Sequence, residues 1–336
     1  MKVLSQLTAL ICVLSLCTLA TGAELPPAAK TELRFLAAGV PKILGEKANY
    51  EQIFQELKGA GITAFMPFSE YQEVPESRSL SWEREFYPQY KTNDQAISAM
   101  RKYGIKLLIP ASILYAAENS TAKRTDPLKE VISWAGRGNV FGVYSYDEPA
   151  LQSGDASPAC KRLYTRVKAV DATLPVIMIH SSIPESAASK KDIEEYLAKV
   201  RTSSQFADIV GFDVYAIPTD LMKVKGPYSS PEKILNYGQA LSEYMQWLKT
   251  NLPAKKHMMV LQAFCAEDQG HPALLAKMYG DRRPTKAELQ DMVKIVTRSN
   301  VSVGWWGQSL VKDGDTKFWT DVLDATRSYS TKQFAK

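Results

Sequence analysis

The chain has 336 residues, a formal charge of +5 and 45% hydrophobic residues. Its basic residues are scattered, as in Lys190–Lys191, Lys255–Lys256 and Arg282–Arg283, and form no stripe, which argues against a dedicated nucleic-acid surface. The three histidines, His180, His257 and His271, include no pair four residues apart, and there is no Cys-x-x-Cys, so neither a metal nor a cofactor is expected.

The first 23 residues have the layout of a secretory signal peptide: Lys2, an apolar stretch from Leu7 to Ala20, and the small residues Thr21-Gly22-Ala23. That stretch falls short of the ~20 apolar residues a membrane span needs. Residues 24–336 are therefore expected to be the mature protein, secreted or periplasmic and without a membrane span. Cleavage would leave two cysteines, Cys160 and Cys265, which read as part-buried thiols and not as a disulfide framework.

From residue 33 onward, apolar runs alternate with helical patterns. The strand candidates are LRFLAAGV (33–40), ITAFMPFS (62–69), KLLIPAS (106–112), VFGVYSY (140–146), PVIMIHS (175–181), DIVGFDVYAI (208–217), HMMVLQAF (257–264) and VSVGWWGQS (301–309). Helices between them are expected to begin at Asn93–Asp94, Asp126–Pro127, Ser230–Pro231 and Pro284–Thr285, and several patterns end in Gly. Near-continuous apolar strands suit a parallel sheet covered by helices. Eight such units predict an α/β fold, a single-domain (β/α)8 TIM barrel. An open doubly wound sheet would want a Gly-rich phosphate turn after the first strand, and GVPKILG is not one.

In this barrel, functional groups come from the C-terminal ends of the strands. Those ends carry Lys42, Glu70, Ser112, Tyr115, Tyr146, Asp147, Glu148, His180, Asp213, Tyr215, Gln262, Glu267, Trp305, Trp306 and Gln308. Aromatic platforms beside carboxylates and amides suit a sugar, whose C–H faces stack on rings while its hydroxyls need partners. The fourth strand ends in Tyr146-Asp147-Glu148-Pro149, two adjacent acids that raise each other's pKa. Glu148 is the candidate general acid and Asp147 its assistant, set against the plainer reading of Asp147 as a turn former or helix cap. Asp213 joins them as a catalytic candidate. Tyr146, Tyr215, Gln262, Trp305, Trp306, Gln308, His180 and Glu70 are the candidate substrate-binding residues, with alternation placing one of the two tryptophans toward the helices.

The YDEP of strand four, together with GFDVY on strand six and VGWWGQ on strand eight, resembles barrel-type glycoside hydrolases, and its Asp-Glu is similar to the catalytic pair of families 20 and 123. The resemblance implies exo-acting hexosaminidase chemistry on an oligosaccharide or polysaccharide. There Glu148 would protonate the leaving oxygen and Asp147 would orient the 2-acetamido group that attacks the anomeric carbon. Two departures stand out: Ser145–Tyr146 replaces the Gly-Gly of family 20, and Gln262 stands where many retaining barrels carry a strand-seven Glu. Two further readings therefore stay open. One is a retaining glycosidase with Asp213 or Glu267 as nucleophile, and the other is a barrel that binds glycans without cleaving them.

Overall fold

The structure, a computed structural model, describes residues 33–39, 49–68, 94–111, 126–152, 154–265, 282–309 and 316–333. The expected signal peptide, Lys42, Glu70, Ser112, Tyr115 and Glu267 lie outside these residues.

Eight parallel strands close into a barrel in sequence order. They are β1 (Arg34–Gly39), β2 (Ala64–Phe68), β3 (Lys106–Pro110), β4 (Val140–Tyr144), β5 (Val176–His180), β6 (Ile209–Val214), β7 (Lys256–Gln262) and β8 (Ser302–Ser309). A helix follows each: α1 (Tyr50–Gly59), α2 (Asp94–Tyr103), α3 (Pro127–Ala135), α4 (Ser157–Val170), α5 (Lys190–Ser204), α6 (Tyr237–Asn251), α7 (Lys286–Arg298) and α8 (Thr316–Gln333). This is the (β/α)8 architecture the sequence predicts. Closure runs through β1 and β8, with Leu36 opposite Trp305 and Ala37 opposite Trp306. Among the described residues, no helix is long and apolar enough to cross a membrane.

Local chemistry accounts for the helix boundaries. Asp126 accepts a hydrogen bond from the Leu128 backbone N–H, with Pro127 in the first turn of α3. Capping boxes start α5 (Ser189 with Asp192), α6 (Asn236 with Gln239) and α7 (Thr285 with Glu288). The expected start at Ser230–Pro231 is corrected: those residues lie in the loop, and α6 begins at Tyr237, where Asn236 supplies the reciprocal cap. Gly136, just past α3, has φ +79°, a left-handed conformation that side chains rarely adopt.

Two apolar layers hold the barrel. The inner one fills its bore with Phe35, Met66, Leu108, Tyr144, Ile177, Ile179, Met258 and Val260, among others. The outer one joins the strands to the helices, and buries Leu36, Phe65, Met178, Phe212, Leu261 and Trp305. Gly304 belongs to the bore, where a Cβ would sit 2.3 Å from the Phe35 ring, so the missing side chain is what lets that ring cross the barrel. Trp305 is fully buried on the outer side, and its indole N–H donates to Thr326 Oγ1 on α8 at 2.9 Å. Trp305→Ala should lower stability by about 3–5 kcal/mol, the range for emptying a buried aromatic site. Denaturant melting reads this directly; a loss under ~1 kcal/mol would contradict the packing described.

Candidate active site

Strand parity decides which predicted residues meet. Tyr144 ends β4 pointing into the bore, where its ring lies 6.4 Å from those of Phe35 and Trp306. Its hydroxyl donates to Asp147 Oδ1 at 2.8 Å. The chain then turns sharply. Glu148 has φ 45° and ψ 52°, a left-handed conformation unusual for a residue with a side chain, and its backbone N–H donates to Ile179 O of β5 at 3.1 Å. Strain of this kind persists only where the surroundings hold it, and it clusters at functional positions. A short 3-10 turn, Pro149–Leu151, follows with no side-chain cap. Asp147 is therefore not a helix cap; its bonded partner is Tyr144.

Glu148 lies within side-chain reach of Asp213, on β6, and Asp213 within reach of the Tyr215 hydroxyl, and each influences the other's titration. Asp213 is almost completely buried, Glu148 is half-buried, and Asp147 stays open at the rim. Burial pushes the Glu148 carboxyl up to about 7, the Asp147 charge adds to that lift, and the bond to Asp213 opposes it. Asp213 is held well above the ordinary carboxylate range, first by burial and then by the charges of Glu148 and Asp147. Loss of solvent raises Asp147 too, while the Tyr144 hydrogen bond pulls it back. Burial and mutual repulsion thus raise all three carboxyls, because three carboxylates this close cannot all carry charge, and Glu148 is left to titrate near neutral pH. The phenols of Tyr144 and Tyr215 are raised well above their usual range by burial and by the nearby acids, so they remain hydrogen-bond donors.

Three other predicted residues fall at the same mouth. Tyr215 packs on the inner cluster and meets Phe264 edge-on at 4.9 Å. Trp306 lies beside Tyr144 and is partly accessible. Gln262 ends β7, fully buried, and its amide is occupied: Nε2 donates to Ile217 O (2.9 Å) and Phe264 O (3.2 Å), and Oε1 accepts from Ile217 N (3.1 Å). It clamps the loop after β6, so both its N–H donors are spent on backbone and it reads no hydroxyl.

The structure separates the remainder from the mouth. His180, expected to bind substrate, points outward instead. It is fully buried against Phe212 (6.0 Å), its Nε2 meets Ser204 Oγ of α5 at 3.1 Å, and burial holds its pKa down at about 3. A neutral imidazole walled in by α5 reaches no ligand in the bore. Trp305 is likewise on the helix side, because its register with Leu36 turns it away from the bore. Tyr146 packs on the outer cluster. Gln308 lies in β8, but its side chain is outside the described residues. Tyr144 was missed by the sequence reading, though its place three residues before Asp147 and two before the strand's expected end was visible. Cys160 and Cys265 are both buried, and no disulfide joins them. Among the described residues, no group of three or more His, Cys, Asp or Glu side chains is arranged to hold a metal ion.

No protein-family model matches the chain, and no curated protein matches it. Solved structures do. A candidate α-L-fucosidase from Bacteroides thetaiotaomicron superposes with a TM-score of 0.52 at 11% identity, over 92% of this chain and 98% of the other. A family 39 glycoside hydrolase from Bacteroides cellulosilyticus gives 0.49 at 18%, over 87% of this chain and 59% of the other. A chitinase from Chromobacterium violaceum gives 0.49 at 13%, over 88% and 98%. The chain thus spans under two thirds of the family 39 enzyme's length. Other kinds of enzyme match as well. Glycoside hydrolases are prominent among these neighbours, and at such identities the likeness is one of fold.

Proposed function

We propose that the protein is a secreted glycoside hydrolase that cleaves O-glycosidic bonds of an oligosaccharide, with Glu148 as general acid/base and Asp147 assisting. One observation carries the reading. A glutamic acid at the C-terminal end of β4 is poised to lose its proton near pH 7, beside the buried Asp213 and the adjacent Asp147. General acids work best with a pKa close to the working pH.

The mechanism follows from the residues present. Glu148 gives its proton to the glycosidic oxygen as the C1–O bond breaks, and the bonding pair leaves with the alcohol. On a 2-acetamido sugar, the acetamido oxygen closes on C1 and the Asp147 carboxylate accepts the acetamido N–H, steadying the positive ring. Tyr144 holds one oxygen of Asp147, and among the described residues Oδ2 has no donor on it. Glu148, now ionised, takes a proton from the water that reopens the ring, and the cycle closes. Asp213 fits a proton-holding partner better than a nucleophile. A carboxyl nucleophile attacks in its ionised form, whereas burial and the charges of Glu148 and Asp147 raise Asp213 well above the ordinary carboxylate range.

Assay on aryl glycosides with and without a 2-acetamido group tests the reading. We expect kcat/KM to fall as pH rises through about 7, because only protonated Glu148 can act as acid. A rate that keeps rising to pH 9 would contradict this assignment. Oligosaccharide binding with no cleavage of any substrate would favour the glycan-binding barrel.

A further inference from the structure

Tyr144 is the last residue of β4 and is buried in the bore, yet its hydroxyl reaches the acids at the mouth, donating to Asp147 Oδ1 at 2.8 Å. Among the described residues this is the only hydrogen bond to the Asp147 side chain. The other groups that face Asp147 are acids and a phenol: Glu148 on the same turn, Asp213 of β6 and Tyr215 just beyond it. The Tyr144 ring has no room to swing away. It stands between Phe35 of β1 and Trp306 of β8, with its centroid 6.4 Å from each. Phe35 in turn fills the space that Gly304 leaves open, where a Cβ would come within 2.3 Å of its ring. Three strands distant in the chain thus fix the phenol oxygen, in a core too closely packed to let it drift.

A donor held in this way acts on the carboxylate twice. It sets the orientation: with Oδ1 tied to the phenol, the carboxyl plane is fixed and Oδ2 is left as the acceptor for a substrate N–H. It also sets the charge. A hydrogen bond to the ionised form favours that form, against the loss of solvent that would protonate it. Burial and the nearby acids hold the Tyr144 proton in place well above the usual phenol range, so the donor persists at any working pH. A protonated or rotated Asp147 would offer an acetamido group a donor where it needs an acceptor.

We infer that Tyr144 is a positioning residue: locked by Phe35 and Trp306, it holds Asp147 so that one carboxylate oxygen faces the N–H of the substrate. Its part in turnover rests on the glycosidase reading, and its hold on Asp147 rests on the geometry alone.

The test is Tyr144→Phe in the full chain, which removes the hydroxyl and keeps the ring between its neighbours, with thermal melts confirming the fold. The Asp147 carboxyl, assigned by NMR against an Asp147→Asn reference, should titrate at higher pH in the variant than in the parent, because the donor that favours its charge is gone. On a 2-acetamido aryl glycoside, kcat/KM should fall about 10-fold or more, the scale of one hydrogen bond to a charged group. The acid limb of the pH profile, where Asp147 takes up its proton, should move to higher pH in step. In the Asp147→Asn background the same change should cost under about 3-fold, since no charge is left to hold. A merely structural tyrosine would lower the rate evenly across pH and equally in both backgrounds. Either of those results, or an unmoved Asp147 titration, overturns the inference. If the parent cleaves nothing, the hydrolase reading fails, and the Asp147 titration alone decides whether Tyr144 holds the acid.

Discussion

Glu148→Gln is expected to cut turnover of an unactivated glycoside by about 10²–10⁴-fold, the contribution of a positioned general acid. Glutamine has nearly the same shape and can still bond to Asp213, so the change removes the transferable proton and little else. Stability provides the control. Glu148 has a folded pKa of about 7, above its ordinary value of 4.5. The stability this gives is full below pH 4.5 and is lost as pH rises through 7, where the half-buried carboxyl must ionise beside Asp147. Glutamine never ionises, so at pH 8 the variant should melt no lower than the parent. Inactivity combined with undiminished stability points to chemistry. Inactivity combined with a lower melting temperature points to a structural role instead.

Asp147→Asn should lower turnover of 2-acetamido substrates by about 100-fold or more, the effect of removing one group that stabilises charge in the transition state. Asparagine keeps an oxygen for the Tyr144 hydroxyl, so the local geometry survives while the charge goes. The missing charge also acts on Glu148, whose pKa Asp147 raises. The high-pH limb of the residual activity should therefore move to lower pH. A parent enzyme that works through the acetamido group should leave the corresponding aryl glucoside uncleaved. An Asp147→Asn enzyme with half the parent's rate and an unmoved limb would remove Asp147 from the mechanism.

Much of the barrel is legible in the chain because buried parallel strands have a signature of their own, an unbroken apolar run ended by Gly, Pro or acid. The runs overshoot the ladders at their C-terminal ends, by three residues in β6, which stops at Val214 while DIVGFDVYAI continues to Ile217. Residues that line a barrel mouth are as aromatic and apolar as those in the wall, so composition does not mark where pairing stops. Asp147, Glu148 and Asp213 are legible for the opposite reason, since acids at the end of apolar runs break the pattern.

What escapes the sequence is direction. Alternation says that Trp305 and Trp306 face opposite ways, but only the register of β8 on β1 says which faces inward. Tyr144 and Tyr146 look equivalent until the ladder stops at Tyr144 and the left-handed turn at Glu148 redirects the chain. Gln262 and His180 read as polar groups at strand ends. One is consumed by the backbone of the neighbouring loop, and the other by α5, contacts 45 and 24 residues distant in the chain. No local pattern encodes them.

The central claim is that Glu148 delivers the proton to the leaving oxygen. The dependence of rate on leaving group tests it most directly. A dinitrophenyl glycoside departs without protonation, whereas a methyl or sugar leaving group does not. If Glu148 is the acid, Glu148→Gln should retain most of its activity on the dinitrophenyl substrate while losing about 10²-fold or more on the unactivated one. An equal loss on both substrates would mean that Glu148 does not act on the leaving group, and would contradict the account.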